Sequence, residues 1–254
     1  MWRSLVARTA GGREVAGSSP VIPTKRYIMT EVFSDLAVIF DMDGVLIDSV
    51  ALNWQAYNQI LAEYDVHVPS SELHHYVGRP LVQQLQMLNK RYSLQLATLD
   101  FQDKADAIRV ELFAKIRPKP GVGTLLRELR KHNVPIAVGS SATAALVKNR
   151  LTTAGIYNLF DVVVTQEDVS VHKPHPEVFL AAAEKLGVNP DKCVVIEDAP
   201  VGIEAAKNAR MKCCAVMTPY ISEELLADAD LVVASLTTIR AQDLRELVIE
   251  SRGI

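Results

Sequence analysis

Six short apolar runs recur along the chain, at residues 36–40, 134–138, 162–164, 193–196, 213–216 and 231–233, with no polar residue inside any of them. Runs of this length without polar alternation read as strands covered on both faces, the situation of a parallel sheet. Between them lie stretches with apolar residues at helical spacing, at 123–132, 143–154, 177–186 and 202–209. Repeated strand–helix–strand alternation predicts an α/β fold: a Rossmann-like parallel sheet core with helices on both faces.

Residues 49–117 break this rhythm. They hold helical segments at 50–64, 80–92 and 98–116 and no comparable apolar run, so an all-helical module is expected to be inserted after the first strand. Pro118-Lys-Pro-Gly121 has the composition of its return point. The expected organisation is a core of residues 35–48 and 118–254, a helical cap of 49–117, and an extension of 1–34 outside the fold.

Residues 1–28 carry Arg3, Arg8, Arg13, Lys25 and Arg26 against a single acid, Glu14. Two readings are open: an Arg- and Ser-rich organelle transit peptide, or untranslated sequence ahead of a true start at Met29. The second is preferred and carries a cytoplasmic location, with an organelle as the alternative.

The net charge of -3 shows no basic surplus, so neither nucleic acid nor an anionic membrane is an expected partner. No apolar stretch is long enough to span a bilayer. Three cysteines, Cys193, Cys213 and Cys214, do not make a disulfide framework and suit a reduced compartment. Cys213 and Cys214 are expected in a buried strand rather than on a metal. The oligomeric state is expected to be monomer or homodimer.

Ligands of parallel α/β sheets bind beyond the carboxyl ends of the strands. There the first strand ends in Asp41 and Asp43, the second in Gly139-Ser140-Ser141, the third leads to a loop carrying Lys173, and the fourth ends in Glu197-Asp198. Clustered carboxylates repel one another unless a cation offsets them. Mg²⁺ suits one or two carboxylates together with a substrate phosphate. With Lys173 it would neutralise a phosphate dianion approaching Asp41, and Ser140 would donate to a phosphate oxygen.

Asp41-Met-Asp-Gly-Val-Leu-Ile-Asp-Ser49 resembles the first signature of the haloacid dehalogenase-like hydrolase superfamily. Val138-Gly-Ser-Ser141, Lys173-Pro-His-Pro176 and Ile196-Glu-Asp198 followed by Gly202 resemble its other signatures, in the same order. The helical insert is similar to the cap of the phosphoglycolate phosphatase and β-phosphoglucomutase branch. The resemblance implies a magnesium-dependent phosphatase acting on a small phosphorylated metabolite. In it, Asp41 is the nucleophile that becomes an aspartyl-phosphate, and Asp43 is first general acid and then general base. Ser140, Ser141 and Lys173 hold the phosphoryl group. Mg²⁺ rests on the Asp41 side chain, the Asp43 backbone carbonyl and Asp198, with Glu197 a further ligand or an acceptor behind them.

Plainer roles compete at each position. Asp41 to Gly44 would make a turn, Ser140 or Ser141 a helix N-cap, Lys173 a solvated loop cation, and Asp48 a cap for the next helix. Trp54 and Tyr57 read as cap core. His74, His75, Tyr76 and Arg79 either face the substrate or form a solvated helix end. Two further activities fit the same fold. A phosphomutase of the β-phosphoglucomutase branch carries a cap histidine where this chain has Asn53, and a cap arginine that aligns nearer Leu81, with Arg79 close enough for a small shift to restore it; these departures favour hydrolysis. A dehalogenase lacks an acid at the position of Asp43. A non-catalytic binding protein is the third alternative, opposed by the intact set of Asp41, Asp43, Ser140, Lys173 and Asp198.

Overall fold

A computed structural model describes residues 33, 36–76 and 81–250. The extension of residues 1–28 and Arg79 lie outside the described residues, so the expectations made for them are not addressed by it. Six strands form one parallel sheet: β1 (Ala37–Phe40), β2 (Ile136–Gly139), β3 (Val162–Val164), β4 (Cys193–Glu197), β5 (Lys212–Val216) and β6 (Leu231–Val233). Their order is β3-β2-β1-β4-β5-β6. The chain moves outward on one side of β1 and then resumes on the other at β4. The gap between the ends of β1 and β4 is therefore the topological switch point, where such sheets bind ligands.

The sheet is covered on both faces, which is why its strands lack polar alternation. Val38, Phe40, Ile136, Val138, Val194, Ile196, Cys214 and Val216 point into one core. Ala37, Ile39, Ala137, Cys193, Val195, Cys213 and Ala215 point into the other. The first core is closed by α4 (Val122–Lys131), α5 (Ala144–Thr153) and α8 (Ala241–Glu250), and the second by α6 (Glu177–Leu186) and α7 (Pro200–Asn208). Cys213 and Cys214 are both buried, as expected of this strand.

Between β1 and β2 the chain makes α1 (Ser49–Leu61), α2 (Leu81–Tyr92) and α3 (Thr98–Phe113). These have an apolar cluster of their own, built on Trp54, Tyr57, Ile60, Leu61, Tyr76, Leu85, Leu88 and Phe101. Tyr76 is part of this packing rather than of a substrate-facing group. His75 and His74 beside it are exposed. Tyr220, in the loop after β5, joins the same cluster and ties it to the sheet. The two connections into and out of the insert lie side by side: Ile47 bridges Pro118 in antiparallel fashion, and Lys119 N donates to Leu46 O at 2.9 Å.

Several boundaries differ from the sequence expectation. The strand expected at 134–138 starts two residues later, because Pro135 has no N–H to place in a ladder. The helix expected at 202–209 begins at Pro200, which fits the first turn where no N–H is needed. Helix α8 was not anticipated. The helix after β2 is capped by Thr143, whose Oγ1 accepts from Leu146 N at 3.3 Å, so neither Ser140 nor Ser141 is its N-cap. Asp48 does cap α1, accepting from Ala51 N at 3.0 Å.

Candidate active site

Phe40 ends β1, but the backbone of the next residue stays locked to the sheet, with Asp41 N donating to Ile196 O at 2.9 Å. The chain then turns sharply. Gly44 N donates to Ile47 O at 2.7 Å, and Gly44 has a φ of 87°, in the left-handed region that favours glycine. A Cβ at Gly44 would overlap the Asp198 carboxylate, so the absent side chain also makes room for β4's acid. The Lys119 amine donates to Gly44 O from the return connection. Gly202 does the same for Glu197: a Cβ there would overlap that carboxylate.

Lys173 reaches into the switch point from the loop after β3. Its amine donates to Asp41 Oδ1 at 2.6 Å, to Glu197 Oε1 at 2.7 Å and to Gly139 O at 3.2 Å. An ammonium has three N–H groups, and all three are used. The amine also lies 4.6 Å from the centroid of the Phe179 ring. Glu197 is 2% exposed. Its Oε2 accepts from Asp198 N at 2.8 Å and Ala199 N at 3.1 Å, so both its oxygens serve as acceptors holding other groups. Ser140, buried at the end of β2, accepts from Ala142 N through Oγ at 3.1 Å, which leaves its hydroxyl proton to donate into the rim.

Asp41, Glu197 and Asp198 offer carboxylate oxygens that all lie within 4.8 Å of one another. Burial pushes the Asp41 carboxyl up to about 7; Lys173 opposes that shift and Glu197 adds to it. Burial likewise pushes Asp198 up to about 8, reinforced by Glu197 and Asp41 and opposed by Lys119 and Lys173. Burial alone would lower the Lys173 ammonium, but Asp41 and Glu197 outweigh it and hold it above its ordinary value. Lys119 shifts down, mainly by burial, with Asp48 and Asp198 opposing. The protein's own cations thus do not offset the crowded acids. An all-oxygen donor set with surplus negative charge is the chemistry that a hard divalent cation fits.

Asp43 stands apart from the three acids, and its Oδ1 accepts from Arg150 on α5 at 2.9 Å. A cavity of about 300 Å³ is lined by Asp41, Asp43, Ser140, Ser141, Lys173 and Asp198 among others. Every site residue expected at a strand end therefore borders one chamber or touches one that does. Asn53 lies instead in a neighbouring cavity of about 430 Å³ with Arg109, Asn149 and Arg150.

The profile of haloacid dehalogenase-like hydrolases matches residues 38–216, from β1 to the end of β5. The chain belongs to the haloacid dehalogenase-like hydrolase family. Within that family it stands, as an enzyme, among phosphatases. Validoxylamine A 7'-phosphate phosphatase of Streptomyces hygroscopicus subsp. limoneus is 33% identical over 208 residues, spanning 80% of this chain and 94% of that protein. Fructose-1-phosphate phosphatase of Escherichia coli is 33% identical over 178 residues, 68% of this chain and 92% of its own. Among solved structures, a hydrolase of this family from Deinococcus radiodurans with bound phosphate and sodium superposes with a TM-score of 0.76 at 29% identity, covering 83% and 95% of the two chains. β-Phosphoglucomutase from Clostridium difficile gives 0.65 at 28% identity, covering 86% and 99%.

Three features of this hydrolase escaped the sequence reading. Arg150 is an arginine in the last turn of α5 whose partner Asp43 lies 107 positions away. Lys119 was seen only as part of a boundary motif. Gly44 was read as a turn former and not as the space that admits Asp198. Only Lys119 carried a local signal, its place between two prolines.

Proposed function

We propose that the chain is a magnesium-dependent phosphatase that hydrolyses a small phosphorylated metabolite, of sugar-phosphate or phosphoglycolate type, through an aspartyl-phosphate on Asp41. The observation that carries this reading is the convergence at the switch point: the Lys173 amine 2.6 Å from Asp41, with the Asp198 carboxylate in the same cluster and Asp43 on the chamber wall. The phosphatase relatives named for carbohydrate phosphates support the substrate class.

In the reaction so read, an Asp41 carboxylate oxygen attacks phosphorus, and the bond from phosphorus to the ester oxygen breaks. The departing oxygen takes a proton from Asp43. Water then attacks the aspartyl-phosphate, giving its proton to Asp43, and inorganic phosphate and free Asp41 result. Lys173 neutralises charge beside Asp41, and the Ser140 hydroxyl and the exposed Ser141 receive the phosphoryl oxygens. The Asp41 side chain, the Asp43 carbonyl and Asp198 would hold Mg²⁺, which supplies charge neutralisation for the phosphate dianion and the developing transition state. Glu197 keeps Lys173 and the Asp198 backbone in place. Residues 49–117 act as a cap that covers the chamber and keeps bulk water from the reacting atoms.

Hydrolysis is favoured over phosphomutase activity by Asn53, an amide where the mutase branch carries a histidine. The test is turnover of p-nitrophenyl phosphate and a panel of sugar phosphates, with Mg²⁺ and with EDTA. Release of phosphate from at least one ester, lost in EDTA and regained with Mg²⁺, is expected. Metal-independent turnover, or none under any metal, would sink the proposal.

A further inference from the structure

Arg150 makes two contacts that the reaction above does not require. From the last turn of α5 its guanidinium donates to Asp43 Oδ1 at 2.9 Å. The same guanidinium lies over the ring of Phe113, 4.5 Å from its centroid. Phe113 is the last residue of α3, so Arg150 is rooted in the core and touches both the loop after β1 and the insert. Asp43 lines the acid chamber, and Arg150 lines the neighbouring cavity that also holds Asn53. Their ion pair stands between the two spaces. Arg150's side chain is 15% exposed and Asp43's 35%, so the arginine is the better fixed of the two. A guanidinium carries its donors in one rigid plane, and stacking on an aromatic face fixes that plane.

We propose that Arg150 is a positioning residue that sets the Asp43 carboxylate for proton transfer to the leaving oxygen, and that its seat on Phe113 makes this setting depend on where the insert lies. The inference rests on the phosphatase reading. When α3 moves away, the guanidinium loses its aromatic face, and the acid loses its orientation with it. A partly exposed ion pair adds little to stability. The role is therefore geometric, and it shows in rates rather than in melting.

The test compares kcat/KM for two esters in Mg²⁺: the best alkyl phosphate found in a metabolite panel, and p-nitrophenyl phosphate. This parameter covers only the steps through departure of the leaving group, so the later activation of water does not enter it. An alkoxide cannot leave without the Asp43 proton, whereas p-nitrophenolate can. Arg150→Gln should lower kcat/KM about 10-fold or more on the alkyl ester and less than about 2-fold on p-nitrophenyl phosphate, the scale expected for a misplaced general acid. Phe113→Leu should show the same bias, more weakly, and Arg150→Lys should recover part of the loss. If Arg150→Gln melts far below the parent, the other two variants carry the comparison. Equal losses on both esters, or no loss on either, would overturn the positioning role. A parent enzyme inactive on both esters would instead overturn the phosphatase reading and this inference with it.

Discussion

Lys173 is the most constrained residue of the site, since its three protons are all committed to Asp41, Glu197 and a backbone carbonyl. Removing one member of a buried charge group leaves the others uncompensated. Lys173→Met is therefore expected to destabilise the fold by about 3–5 kcal/mol and to abolish activity. Urea unfolding and turnover check the two halves; a variant as stable as the parent would mean that Asp41 and Glu197 are compensated by something else. Asp41→Asn is the opposite case. It removes a buried charge that is held up to about 7 by burial, so it should fold at least as well as the parent. An amide does not serve as the nucleophile, so kcat should fall by at least about 10³-fold; near-normal turnover would contradict covalent catalysis at this position. The positions of Asp41, Ser140, Lys173 and Asp198 were legible in the sequence because strand ends in a parallel sheet share one rim. Arg150 was not, because a helical arginine carries no sign of which loop it will meet once the chain has folded.

At the scale of the elements, the places of the two acids at the end of β4 depend on two absent side chains, those of Gly44 and Gly202. The start of α7 approaches β4 so closely that a Cβ at Gly202 would overlap the Glu197 carboxylate. Gly202→Ala should therefore push Glu197 off Lys173 and cost about 1–3 kcal/mol, as overpacking does. It should also lower kcat without any new group entering the chamber. Melting temperature and turnover measured together test this; if neither moves, α7 can back away from the sheet. The six strands and the α6 boundaries were legible, because apolar runs and helical spacing are local signals. Their ends were less so. Pro135 delayed β2 and Pro200 advanced α7, effects of the missing N–H that apolar patterning does not register. Helix α8 went unread despite burying Ala241, Leu244 and Val248 against the first core.

For the whole molecule, the raised acids give stability a definite pH dependence in EDTA. In the unfolded chain Asp198 releases its proton near 3.8, whereas folded it keeps it to about 8. Between those values the folded state binds more protons, so ν_U − ν_N is negative and stability falls as pH rises. The Tm in EDTA should therefore drop from about pH 6 to pH 8 through this group, and Asp198→Asn should flatten the slope; an identical slope in the variant would assign it to other groups. A bound cation must displace those protons, so Mg²⁺ affinity should climb over the same interval, with proton release visible by calorimetry in buffers of different ionisation enthalpy. Affinity that does not vary with pH would mean that the ligands are already ionised.

The seam where Ile47 meets Pro118 has a consequence of another kind. Residues opposite each other in an antiparallel pair have Cα atoms only about 4.5–5.5 Å apart. Everything between them is thus a detour that leaves and rejoins the main path at nearly one place. Such a detour can be shortened, or exchanged for a foreign helical module, without rethreading any strand. Asp41, Lys173 and Asp198 are rooted on the far side of that junction, so editing the detour would leave them in place and change only what reaches the chamber and the face on which Arg150 rests.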